Sequence, residues 1–251
     1  MNNEPDQENI TNPCGEISIS GYTPLQLKKL TGFNMINNEK AIANMLLEQQ
    51  ISKKTLENID YVKKSSVKLR NFFGILNKIP KIDMAICGGA VRDWHLGKEP
   101  KDIDIILDCS MEIIECLTQN FDYVRSSFNG YMFNIDGVKI DIWRLPDSWI
   151  FTQKTDITKC WTGLIRSFPL NIDGIMVFGS GEVLECGFYE ALNTKQIELM
   201  NSLTKNPISN IVQRGIRFSQ KYDMAIGPML QAEIKKHGII DLGKFTTGSS
   251  N

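Results

Sequence analysis

The chain has 251 residues, with 28 basic against 29 acidic side chains and a formal net charge of -1. Its apolar share of 42% suffices for a sizeable core and excludes wholesale disorder, while the balanced charge excludes a bulk electrostatic grip on nucleic acid. No apolar run is long enough for a membrane span, and the polar start MNNEPDQENI is unlike a secretory signal, so a cytoplasmic, non-membrane protein is expected.

The six cysteines have no paired spacing, which predicts reduced thiols rather than a disulfide framework. The two histidines, His95 and His237, sit in no zinc-ligand spacing and flank no nucleophile motif.

Residues 1–21 are an acidic leader broken by Pro5, Pro13 and Gly15. Thr23 and Pro24 read as the start of a short helix over 24–31, and Ile42, Met45 and Leu46 mark another over 38–49. The basic stretch 53–81 carries Leu69, Phe72, Phe73 and Leu76 at helical intervals, which predicts one long amphipathic helix over 61–78. Its lysines read as a solvated face, with an RNA-binding stripe as the alternative.

A short buried strand over 83–87 then runs into Gly88–Gly89 and a helix over 90–97. A strand over 103–107 and a helix over 110–119 follow. Strands at 122–127, 131–135 and 138–144 are joined at Asn129–Gly130 and Asp136–Gly137, both hairpin dipeptides. Residues 172–178 and 182–186 make a further hairpin about Gly179–Gly181. Helices over 188–203, 208–222 and 229–237 precede a polar tail. On the second of these, Arg214, Arg217 and Lys221 form a stripe apart from the apolar face. Trp94, Trp143, Trp149 and Trp161 read as core or interface residues, with one of them a candidate platform for base stacking.

Asp102 and Asp104 lie two apart on a strand and therefore share a face. Like charges held side by side repel, and the economical reason to keep them is a divalent cation with a taste for hard oxygen ligands, Mg²⁺ or Mn²⁺. Asp141, mid-strand in Val138–Arg144, is a third carboxylate that an adjacent strand could bring alongside. Upstream, Gly88 and Gly89 open a helix after a strand, where backbone N–H groups and the helix terminus favour phosphate, and Arg92 follows one turn on. Together these are the parts needed to hold a nucleoside triphosphate with its metal.

The run Cys-Gly-Gly-Ala-Val-Arg-Asp-Trp-His-Leu-Gly-Lys-Glu-Pro-Lys-Asp-Ile-Asp-Ile-Ile over 87–106 resembles the signature of the poly(A) polymerase and CCA-adding class of nucleotidyltransferases, within the polymerase β-like superfamily. The resemblance continues more faintly. Residues 139–144 look like the strand bearing the family's third acid, with Asp141 in that place. Ile165–Asn171 looks like the Arg-Arg-Asp-Phe-Thr-Ile-Asn motif, which implies Arg166 and Asn171 near the nucleotide. Arg214-Gly-Ile-Arg217-Phe looks like the helix of the family's neck and implies nucleotide contacts for both arginines. Departures are Ile165 and Ser167 in the second motif, and Pro207–Ile211 where the family's base-reading Glu-Asp-x-x-Arg stands.

The resemblance implies an α+β, polymerase β-like nucleotidyltransferase fold with a mixed β-sheet and helices, a helical extension over 1–60, a head domain over 61–186, and a short helical neck over 187–251. It implies transfer of a nucleoside monophosphate from an NTP to an RNA 3′ end, with tRNA as the natural acceptor class. Asp102, Asp104 and Asp141 would hold Mg²⁺ or Mn²⁺, and Gly88, Gly89 and Arg92 would position the phosphates. Two alternatives stay open: transfer to a protein or small molecule, and a silent nucleotide- or RNA-binding module.

Overall fold

A computed structural model of the chain describes residues 35–126, 128–153, 157–202 and 207–238. The expected leader, the 24–31 helix and the polar tail lie outside them. By compactness the chain separates into two units, residues 1–44 and 45–251. Ile51 and Ile59, both within the stretch 1–60 expected to form an extension, are buried in the core of the second unit.

Helix α1 runs over Met35–Ser65 and α2 over Val67–Leu76. The single helix expected over 61–78 is therefore broken at Ser66, for a local reason. Ser66 is extended (φ -149°, ψ 163°), and its hydroxyl accepts a 3.1 Å hydrogen bond from the Leu69 amide. A serine that satisfies an orphan N–H of a new helix start competes well with continuing the old helix. α2 buries Leu69, Phe72, Phe73 and Leu76 on one face. Phe72 meets Phe73, Phe121 and Phe133 edge-on at 5.1–5.6 Å between ring centroids.

The centre is a seven-stranded mixed sheet. Its strands are β1 (Met84–Cys87), β2 (Ile103–Leu107), β3 (Tyr123–Arg125), β4 (Tyr131–Ile135), β5 (Val138–Arg144), β6 (Ile175–Phe178) and β7 (Val183–Glu185), in spatial order β3-β4-β5-β2-β1-β6-β7. Only the β2–β5 pair is parallel; the other neighbours run antiparallel. Two hairpins can close by tight turns, whereas β2 reaches its parallel partner only through a long crossover. That crossover contains helix α4 (Met111–Asn120) and the β3–β4 pair; helix α3 (Gly89–His95) links β1 to β2.

Side-chain alternation divides the sheet between two cores. Ile86, Ile103, Ile105, Ile140, Ile142 and Val177 join α2, α3 and α4 in the larger one. Ala85, Cys87, Ile106, Met176 and Phe178 face the other way and pack with Leu145 and with helices α5 (Trp149–Thr152) and α6 (Trp161–Arg166). A sheet buried on both faces explains the near-continuous apolar runs of β1, β2 and β6.

Beyond β7, the helix expected over 188–203 is much shorter. Helix α7 covers Phe188–Thr194 and ends at Lys195, which adopts left-handed backbone (φ 50°). The chain then forms β8 (Gln196–Ile197), parallel to β9 (Ala225–Ile226), and buries Ile197 completely. Helices α8 (Ile208–Tyr222) and α9 (Pro228–Lys236) close the described chain, as expected from their apolar spacing. Cys87, Cys109, Cys116 and Cys186 are free thiols. Cys160 is disulfide-bonded, against the expectation that all six stay reduced.

Candidate functional site

β1 ends at Cys87, and the chain turns sharply into α3 at Gly88. There φ is +56° with ψ -115°, a conformation that side chains with a Cβ rarely adopt. The Gly88 amide donates to the Ile175 carbonyl at 2.9 Å, which pins the turn to β6. Glycine is required here by the backbone rather than by crowding, since an added Cβ would find nothing nearer than 3.8 Å.

Next to that turn, register assembles the carboxylates. Asp104 of β2 is the direct partner of Asp141 on parallel β5 and of Cys87 on β1. Cys87, Asp104 and Asp141 therefore lie in one row on one face, and Asp102, in the bend just before β2, is close enough for its charge to act on both Asp104 and Asp141. Burial, followed by the charges of Asp102 and Asp141, pushes the Asp104 carboxyl up to about 8, against the pull of Arg214. Asp141 is also raised, by burial and by Asp102, while Lys101 and Lys139 oppose the shift. Burial also pushes the Cys87 thiol well up, with Asp104 and Asp173 adding to it. Among the described residues no group of three His, Cys, Asp or Glu side chains is disposed to hold a metal ion. The donor chemistry, three hard carboxylates in mutual repulsion, nonetheless fits a divalent cation at an open site.

A cavity of about 280 Å³ opens on this face. Gly88, Gly89, Asp104, Asp173 and Arg214 line it together with Phe128, Trp143, Trp149, Leu164 and Phe168. Arg214 reaches in from α8. Its side chain is 42% exposed, one terminal nitrogen meets Asp173 at 2.9 Å, and its buried Nε has no hydrogen-bond partner.

Arg92 is placed differently from the expectation of a phosphate-gripping arginine in the open. It is buried, and it does not line the cavity. Its guanidinium pairs with Asp173, donates to the Tyr222 hydroxyl at 2.8 Å and to Asp93 at 3.2 Å, and stacks on Phe218 and Tyr222. Burial opposes its charge, yet Asp173, Tyr222 and Asp93 together raise its pKa. Burial likewise works against the Asp93 carboxylate, but the Tyr222 hydroxyl, Arg92 and Lys221 hold it below its ordinary value. Thus α3 and α8 are joined by a charged network that continues to Asp173 beside the cavity.

The remaining expected residues divide. Asn171 is buried, and its amide is consumed by main chain: it donates to the Gln196 carbonyl at 3.1 Å and accepts from the Glu198 amide at 2.9 Å. Arg166 ends α6 and is exposed, as is Arg217 on α8; neither lines the cavity. Residues not anticipated are Asp173, Asp93 and Tyr222. A lone acid within the apolar run Pro169–Phe178 was the available signal for Asp173, since a buried acid demands a partner.

Residues 84–142 match the family model of the poly(A) polymerase head domain. A CC-adding tRNA nucleotidyltransferase of Halalkalibacterium halodurans is 35% identical over 57 residues, which are 23% of this chain and 15% of that protein. Among solved structures, the Thermotoga maritima CCA-adding enzyme complexed with tRNA is 21% identical with a TM-score of 0.51, over 72% of this chain and 45% of that one. A CCA-adding enzyme complexed with CTP is 22% identical with a TM-score of 0.52, over 74% of this chain and 46% of that one. The chain thus spans under half the length of these structures, and the likeness to them is one of fold. Gly88–Gly89, the Asp102/Asp104 pair and Asp141 all lie inside the segment that matches the poly(A) polymerase head-domain model.

Proposed function

We propose that this chain is a metal-dependent nucleotidyltransferase that moves a nucleoside monophosphate from an NTP to an RNA 3′ end, with tRNA as the acceptor class, and releases pyrophosphate. The observation that carries this reading is the Asp104–Asp141 register, with Asp104 and the strand–glycine–helix turn at Gly88–Gly89 lining one cavity. Asp102, Asp104 and Asp141 would hold Mg²⁺ or Mn²⁺. When bound, such ions supply positive charge to the entering and leaving oxygens of an in-line displacement. Gly88 and Gly89 give the phosphates a close approach to main-chain N–H groups. Arg214, partly exposed in the cavity, is the arginine best placed to meet phosphate oxygens, and Arg166 and Arg217 lie farther out on α6 and α8. Arg92 and Asn171 act as positioning residues: the first holds α3 against α8, the second ties the segment after α6 to residues 196–198.

The test is incubation with Mg²⁺, each α-labelled NTP in turn, total RNA and cell-extract protein, beside an Asp102→Ala/Asp104→Ala variant. Label in one size class of RNA, only with the aspartates intact, is the expected result. Label confined to protein would move the acceptor to another class. Bound NTP without any transfer would leave a nucleotide-binding module.

A further inference from the structure

The cavity has two chemical characters, arranged along the strands. Asp104 and Asp141 form one row, and two residues on, Ile106 and Trp143 form the next row on the same face. The rows are therefore about 6.6 Å apart. Around the second row stand Phe128, Trp149 and Phe168, partly buried rather than sealed into the core, with Leu164 buried among them. Trp143 is held from behind by the backbone at Gly130, where an added Cβ would come within 2.2 Å of the indole nitrogen. Besides the two indoles, the polar side chains among the described residues of this part are Ser148 and Ser167, and each donates its hydroxyl proton to a main-chain carbonyl, of Arg144 and Leu164 respectively. Among the described residues no amide side chain lines the cavity, and the charged groups that do are Asp104, Asp173 and Arg214.

Resting on the proposed nucleotidyl transfer, we infer that the aromatic wall takes the base of the incoming nucleotide and binds it by stacking, without reading its hydrogen-bonding edge. A ligand anionic at one end and planar and apolar at the other matches the two rows. Stacking on an aromatic face is tolerant, because every base presents a π-surface. Discrimination between bases that hydrogen-bond differently requires polar groups committed to that edge, and unsatisfied ones supply the penalty for a wrong base. Here both serine hydroxyl protons are engaged, and the Trp143 indole nitrogen, which has no partner, is buried against Gly130 rather than offered to a ligand. Binding should therefore follow ring area, purines above pyrimidines, with little distinction within each class.

Direct binding tests this apart from catalysis. The full chain is titrated with ATP, GTP, CTP, UTP and inorganic triphosphate in Mg²⁺, following intrinsic tryptophan fluorescence and, independently, calorimetric heat. All four nucleotides should bind, with ATP and GTP within about threefold of each other, as a stacking-only site requires. Trp149→Ala should weaken every nucleotide by roughly tenfold and leave inorganic triphosphate unchanged, whereas Trp149→Phe should retain most of the affinity. A preference above tenfold within either base class would overturn the inference, as would an equal loss of triphosphate binding in a folded Trp149→Ala protein. Trp149→Phe, which keeps a ring, decides the matter if the alanine variant does not fold. Failure of all five probes to bind would instead sink the nucleotidyltransferase reading itself.

Discussion

Arg92 and Asp173, 81 residues apart and each almost inaccessible to solvent, form a buried ion pair behind the cavity. Such a pair adds little net stability against an apolar replacement, but removing one partner strands the other charge. Asp173→Ala should destabilise the protein by about 3 kcal/mol, the lower end for a buried pair, because Asp93 and Tyr222 still bond the guanidinium. Lys236→Ala, which breaks an exposed pair with Glu233, should cost less than about 1 kcal/mol. Urea unfolding of the two variants checks the contrast. Equal effects would mean that the Arg92 network contributes no more than a surface pair.

Gly88 and Gly89 are adjacent, yet the structure separates their roles. Gly88 holds a positive φ, while Gly89 starts α3 with an ordinary helical backbone and the nearest group to an added Cβ is the Arg92 side chain at 3.5 Å. Gly88→Ala should therefore cost about 1–3 kcal/mol in backbone strain. Gly89→Ala should stay within about 1 kcal/mol of the parent, since alanine suits a helix better than glycine. Thermal or denaturant melts of the pair distinguish a turn set by backbone conformation from one set by space.

The carboxylate row gives a cation-dependent prediction. Asp104 and Asp141 face each other with Asp102 beside them, and their repulsion raises the energy of the metal-free fold. Asp141→Asn should raise the melting temperature measured in a chelator, because it removes one like charge. In the parent, added Mg²⁺ should raise the melting temperature, by the equivalent of about 2.7 kcal/mol at a hundredfold excess over the dissociation constant. That gain should shrink strongly in Asp141→Asn. Equal Mg²⁺ responses in the two proteins would remove Asp141 from the metal site.

Much of this architecture was legible because it rests on short-range rules. Period-two alternation located β2, β4 and β5, and Asn129–Gly130 and Asp136–Gly137 located the hairpins that set their register. That register is what brings Asp141 to Asp104, so the carboxylate site followed from local signals plus one parallel pairing. The failures were decided by single side chains or by distant partners. Ser66 ends a helix whose apolar spacing continues past it, because a cap is worth more at that point than another helical turn. The stretch after Thr194 has helical composition, but Ile197 gains complete burial by pairing with β9, a contact nearly thirty residues away. Arg92 read as a phosphate ligand because the motif fixes its sequence position. Its buried setting is made by Asp173, Phe218 and Tyr222, from segments the motif does not include.

His95 supplies a pH dependence of known sign. It ends α3 with its ring against Phe188 at 6.4 Å, and Lys54 donates to its carbonyl at 3.2 Å. Burial, helped by the Lys54 charge, lowers the imidazole pKa below its ordinary value of 6.5. In the window between that lowered value and 6.5 the unfolded chain binds more protons than the folded one. Stability therefore rises with pH across the window, is complete above 6.5, and is lost as pH falls below it. The parent should unfold at progressively lower urea concentrations as pH is reduced from 7.5 towards 5. A His95→Gln variant, which cannot take up the proton, should show a shallower decline over the same range. If the two pH profiles run parallel, the acid sensitivity belongs to other groups, and the imidazole is as easily protonated in the fold as in water.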